Sequence, residues 1–277
     1  MKIDSHQHFW IYSKEEYDWI DDSMKVLQHD FLPKNLEVEL EKCGFHGSIA
    51  VQARQTIEET RWLLELADQN PKILGVVGWV DICSPDLESQ LEVFTKNPKL
   101  VGVRHVVQGE PDDRFMLRED FIKGLKLVEQ YQLAYDILIF PRHLPVAVQL
   151  VEQFPNMQFI LDHIAKPLIK DNIIEPWAQD IKALAKFSNV YCKLSGLVTE
   201  ANWETWTDAD LYPYIEVIHR AFGVERILLG SDWPVCTLAG SYQKVMSIGT
   251  SYFDRCGDDE KELIYCKNAI KAYHLNV

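Results

Sequence analysis

Basic residues are in short supply. The 277-residue chain carries 28 Lys and Arg against 42 Asp and Glu, a formal net charge of −14. That balance repels phosphate backbones and anionic lipid, so neither nucleic acid nor a membrane surface is expected as a partner. The six cysteines are scattered and form no C-x-x-C pair, so they suggest neither a disulfide framework nor a thiolate zinc site. No apolar run approaches the roughly 20 residues of a membrane span. The first residues hold Asp4 with no apolar run behind it, unlike a secretory signal. A reduced, cytoplasmic protein is the expectation. Also missing are a G-x-G-x-x-G turn after any strand-like run, low-complexity segments, and a linker rich in Pro, Gly or Ser. One domain over residues 1–277 follows from that.

What is present is an alternation. Apolar residues make up 47% of the chain, enough for a sizeable core. Eight short β-branched runs fall at 2–6, 47–52, 73–82, 100–106, 133–139, 158–164, 190–196 and 226–232. Between them lie stretches such as EETRWLLELADQ and EDFIKGLKLVEQY, apolar at i, i+3, i+4 and i+7. Ser84-Pro85 reads as a helix N-cap followed by proline at the first helical position, and Glu175-Pro176 opens another helix. Parallel β-α units are implied, and eight of them match an α/β fold of the (β/α)8 barrel kind. The longest irregular piece, roughly 9–33, holds Trp10, Tyr12, Tyr17, Trp19 and Phe31. It is expected either to cover a small substrate or to pack on the barrel rim.

Polar residues collect at the C-terminal ends of these runs. His6 and His8 end the first, Arg54 follows the second, and Arg104, His105 and Gln108 end the fourth. The fifth holds Tyr135 and Asp136, the sixth ends in Asp162 and His163 before Lys166, the seventh holds Lys193 and Ser195, and the eighth ends in Ser231 and Asp232. Strand ends of a barrel converge on one mouth, where barrel enzymes place their chemistry. Desolvating so many polar groups without a role is costly. Alternation along a strand puts Asp4, His6 and His8 on one side, so both imidazoles can address one ion or one substrate atom.

The segments DSHQHFW, GVRHVVQGEPDDRF, LDHIAKP, VYCKLSG and LLGSDWP together resemble the amidohydrolase superfamily. Within it they look like the sugar-acid lactonase branch, of the L-fuconolactonase and L-rhamnonolactonase type, with pyrone-dicarboxylate lactonases as cousins. The resemblance implies a distorted (β/α)8 barrel that hydrolyses a small cyclic ester. His6 and His8 match the family's first-strand pair, His163 its sixth-strand histidine, and Asp232 its eighth-strand aspartate, the general base. Dinuclear members carry a modified lysine after strand four and a histidine ending strand five. Here Arg104, His105, Tyr135 and Asp136 stand there, which argues against a two-metal site. His6, His8 and Asp232 can supply three ligands to one Zn²⁺, but the branch includes metal-free enzymes, so one metal and none both stay open.

On this reading Asp232 activates water. A Zn²⁺, or donors from His6, His8 and His163, stabilise the developing oxyanion. Arg54, Arg104 and His105 are candidates for holding substrate, or for ion pairs buttressing the barrel. Lys193 and Lys166 fit structural pairing with Asp136 or Asp162 better. Ser231 and Cys236 lack the turn of a nucleophile elbow. The alternatives are a metal-dependent decarboxylase on the same barrel and a non-catalytic sugar-acid-binding barrel. Homo-oligomerisation is left open.

Overall fold

The computed structural model describes residues 1–277. Eight strands form one parallel sheet in chain order: β1 (Ile3–Gln7), β2 (Gly47–Val51), β3 (Ile73–Gly78), β4 (Leu100–His105), β5 (Ala134–Ile137), β6 (Phe159–Leu161), β7 (Val190–Leu194) and β8 (Ile227–Leu229). The seam between β8 and β1 has no regular ladder. It is closed just beyond β8, where Gln7 bridges to Trp233, His8 N donates to Trp233 O at 2.7 Å and Asp232 N donates to His6 O at 2.8 Å. That irregular seam is the distortion of the (β/α)8 barrel.

One helix follows each strand: α1 (Pro33–Cys43), α2 (Ile57–Gln69), α3 (Leu87–Phe94), α4 (Glu119–Gln130), α5 (Leu144–Glu152), α6 (Trp177–Leu184), α7 (Asp208–Phe222) and α8 (Tyr242–Tyr252). Their apolar stripes pack on the outside of the barrel to form the main core. Two further helices, α9 (Asp258–Glu262) and α10 (Asn268–Tyr273), flank a π-helical turn. α10 and the residues just after it bring Ala269, Ala272, Tyr273 and Leu275 against Ile3, Ile49, Val77 and Leu228 inside the barrel. The chain thus plugs the end opposite the polar rim. No helix is long and apolar enough to cross a membrane.

All eight expected strands are present, but several stop short of their polar ends. β6 stops at Leu161 because His163, Ile164, Ala165 and Lys166 all take left-handed backbone angles, φ between 49° and 60°. Asp232 does the same beyond β8, at φ 57°. Such angles are unfavourable for residues other than glycine and persist where the surroundings hold them. The expected helix start at Ser84-Pro85 is corrected. Those residues form a turn in which Ser84 Oγ accepts from Asp86 N, and α3 begins at Leu87.

Candidate active site

His6 and His8 point the same way, into the barrel, but a register shift between Asp4 and Gln7 breaks the expected alternation, so that Ile3 packs inward and the buried Asp4 turns instead toward Ser231 and Tyr242. Asp4 grips the segment after β8: Oδ1 accepts from Ser231 N at 2.8 Å, and Oδ2 accepts from Ser231 Oγ at 2.6 Å. This fixes the left-handed turn that presents Asp232. The Asp232 Oδ1 atom then lies 3.3 Å from His8 Nε2 and 3.9 Å from both His6 Nε2 and His163 Nε2. His163 is held in turn, its Nδ1 3.0 Å from Ser195 Oγ. Gly196 is required beside it, since a Cβ there would sit 2.5 Å from His163 Nδ1.

Beneath these groups the barrel interior holds a buried charge network. Lys193, fully buried, forms an ion pair with Asp136 and reaches Asp162 Oδ1 at 3.0 Å and His6 Nδ1 at 3.1 Å. Arg104 Nη1 lies 2.9 Å from Asp162 Oδ2 and 3.4 Å from His6 Nε2. From the plug, the Tyr273 hydroxyl comes within 2.8 and 2.7 Å of the two Asp136 oxygens.

The electrostatics follow from this packing. Burial pushes the Asp232 carboxyl up, but His163, His8 and His6 outweigh it and hold it well below the usual carboxylate range. Burial pushes the His163 imidazole down to about 4, against the pull of Asp232. It lowers His6 as well, with Lys193 adding to the effect. At neutral pH an ionised Asp232 therefore faces neutral His6 and His163.

His8 Nδ1 sits 2.8 Å from the Val51 carbonyl and donates there, so Nε2 is the ring atom turned toward Asp232. The donor atoms of His6, His8 and Asp232 are 3.2, 3.3 and 3.9 Å apart. A tetrahedral ion with Zn-like bond lengths wants its ligands roughly 3.4 Å apart, so this set fits one divalent metal. A second group, His6, Asp162 and His163, also clusters. Its Asp162 oxygens already face Arg104 and Lys193, so it does not suit an ion.

These residues open into a cavity of about 810 Å³. Trp19 and Met24 from the 9–33 segment, with Leu138, Trp203, Val235 and Leu238, form its apolar wall. The aromatic segment thus packs on the rim, as expected, and also lines the cavity. Trp10 and Phe31 exchange backbone hydrogen bonds and pack on the rim, while Trp19 faces the cavity.

Arg54 and Arg104 both line the cavity, Arg54 paired with Glu16 at 2.8 Å. His105 does not. It lies on the opposite side of β4 from Arg104, stacked on Phe115 at 4.8 Å with Nε2 2.6 Å from Glu110. Adjacent strand residues face opposite ways, so Arg104 and His105 cannot both point inward; His105 drops out of the site. Lys193 pairs with Asp136 and Asp162 as expected, whereas Lys166 lines the cavity 3.6 Å from Glu200. Sequence reasoning missed Glu16, Glu200 and Trp203, which sit in loops with no strand pattern to mark them. It put Asp4 on the histidine face and missed it as a clamp, because the register shift in β1 that turns Asp4 toward Ser231 leaves no mark in the period-two pattern.

A parallel eight-stranded barrel with a carboxylate and three histidines at its C-terminal mouth has its polar site where barrel enzymes carry their chemistry. The chain belongs to the amidohydrolase family, whose signature, described as Amidohydrolase, matches residues 3–275. It is 37% identical to an L-fucono-1,5-lactonase of Burkholderia multivorans, over 99% of this chain and 96% of that one. An L-fucono-1,5-lactonase of Burkholderia ambifaria is 32% identical with the same coverage. An amidohydrolase crystal structure from Burkholderia multivorans with bound zinc superimposes with a TM-score of 0.96, at 36% identity and full coverage of both chains.

Proposed function

We propose that this protein hydrolyses a sugar-acid lactone of the L-fucono- or L-rhamnonolactone kind to the free acid. The observation that carries the reading is the ionised Asp232 beside His6, His8 and His163 at the floor of a cavity suited to a sugar ring. Trp19 and Trp203 offer flat apolar faces for the ring, and Gln55, Thr56, Gln108 and Thr199 offer neutral polar groups for its hydroxyls. The full-length similarity to two lactonases supports the same substrate class.

Asp232 Oδ1 meets the imidazoles, which leaves Oδ2 to take a proton from the attacking water. The hydroxide equivalent adds to the lactone carbonyl. When the Ser195 hydroxyl donates to His163 Nδ1, His163 Nε2–H is free to donate to the developing oxyanion. The proton held by Asp232 then passes to the ring oxygen as the C–O bond breaks. His6, His8 and Asp232 would hold one divalent metal, Zn²⁺ being our assignment, and such an ion supplies Lewis-acid polarisation of the carbonyl. Arg54 is placed to hold substrate hydroxyls at the mouth.

The test is a pH-indicator assay over a panel of aldonolactones. Wild type hydrolyses at least one of them, and Asp232→Asn lowers kcat about 10³-fold with the fold retained. A folded Asp232→Asn with near wild-type rates overturns the mechanism. No turnover of any lactone, with CO₂ release from a hydroxybenzoate instead, moves the reading to a decarboxylase.

A further inference from the structure

Three permanent cations line the cavity, and each already faces a carboxylate. Arg54 Nη1 lies 2.8 Å from Glu16, Lys166 Nζ 3.6 Å from Glu200, and Arg104 Nη1 2.9 Å from Asp162. Two further lining carboxylates, Glu15 and Asp18, have no cationic partner. With Asp232 at the floor, the side chains lining the cavity are net negative, and away from the His6, His8 and Asp232 metal set no side-chain cation is free to receive an anion.

We infer that this site selects uncharged lactones, and that Glu16 and Glu200 are the specificity residues that exclude carboxylate-bearing ones. The inference rests on the lactonase reading above and deepens it. A substrate carboxylate would have to displace Glu16 from Arg54 or Glu200 from Lys166, or sit unpaired among like charges, where repulsion in a partly dehydrated cavity is strong. The neutral side chains around the mouth leave uncharged hydroxyls unopposed.

The test compares a neutral aldono-1,4-lactone with the aldaro-1,4-lactone that bears a carboxylate in place of its terminal CH₂OH. Wild type prefers the neutral lactone by about 100-fold or more in kcat/KM, with the difference in KM. Glu200→Gln and Glu16→Gln each narrow the ratio by about tenfold and tighten inhibition by the aldonate product. Glu200→Asp, which keeps the charge, restores the preference. Glu16 is more than half exposed, so its variant reports even if Glu200→Gln fails to fold. Equal KM for both lactones in wild type, or an unchanged ratio in both folded Gln variants, overturns the inference. Calorimetric titration with a neutral aldonolactam and with the lactam bearing a carboxylate in place of its terminal CH₂OH separates the two readings. Tighter binding of the carboxylate-bearing lactam sinks the inference whatever the turnover, while absence of any turnover with the neutral lactam still preferred sinks only the lactonase reading.

Discussion

Asp4 accepts two hydrogen bonds from Ser231, one from its backbone N at 2.8 Å and one from its hydroxyl at 2.6 Å. Through them the first strand of the barrel sets the left-handed turn that carries Asp232. Asp4→Ala leaves these buried donors without an acceptor, a loss of about 1–3 kcal/mol for each. We predict a fall in kcat of about 10- to 100-fold, beyond any change in KM, together with a lower urea midpoint. An unchanged kcat in a folded variant would show that the turn holds itself.

Lys193 neutralises Asp136 and Asp162 in the fully buried barrel interior and touches His6. Lys193→Met abandons two carboxylates there, and breaking a buried pair costs about 3–5 kcal/mol. Thermal unfolding should shift down accordingly. The double variant Lys193→Met with Asp136→Leu should recover part of the loss, which a cycle of the four proteins measures.

Glu59 predicts a pH dependence of stability. Its Oε2 accepts from Ala53 N and Arg54 N, while Oε1 is buried without a partner. Burial raises its carboxyl from 4.5 to about 7, against the backbone donors and Arg54. The folded state therefore holds a proton that the unfolded chain releases between about pH 4.5 and pH 7. The stability from this group is complete below pH 4.5 and declines as pH rises to about 7, by about 3 kcal/mol at most. Glu59→Gln, neutral throughout, should match wild type near pH 5 and exceed it near pH 8 in denaturant titrations. Parallel curves for the two proteins would refute the assignment.

The His6, His8 and Asp232 donor set predicts metal-linked stability. Zn²⁺ at 100 times its dissociation constant should add about 2.7 kcal/mol to unfolding, read as an upward Tm shift that a chelator reverses. His8→Ala should abolish the shift. A shift that survives in His8→Ala would place the ion elsewhere.

Local rules were enough for much of this. The period-two pattern put His6 and His8 on one face of β1, and eight strand-helix alternations set the barrel count, because both depend only on neighbours in the chain. The family motifs marked His163 and Asp232. The same alternation rule, applied to β4, already sends His105 away from Arg104. Where a helix starts was less legible, since Ser84-Pro85 closes a turn as readily as it opens a helix.

The contacts across the barrel were decided by tertiary structure alone. Lys193 meets His6 across 187 residues of sequence, Asp4 meets Ser231 across 227, and Glu16 meets Arg54 only because the 9–33 segment folds back over the mouth. The sequence by itself determined which residues could stand at the rim. Closure of the barrel decided which of them pair, and so which charges remain to act on a substrate, because a charge's partner is set by distance in space and not along the chain.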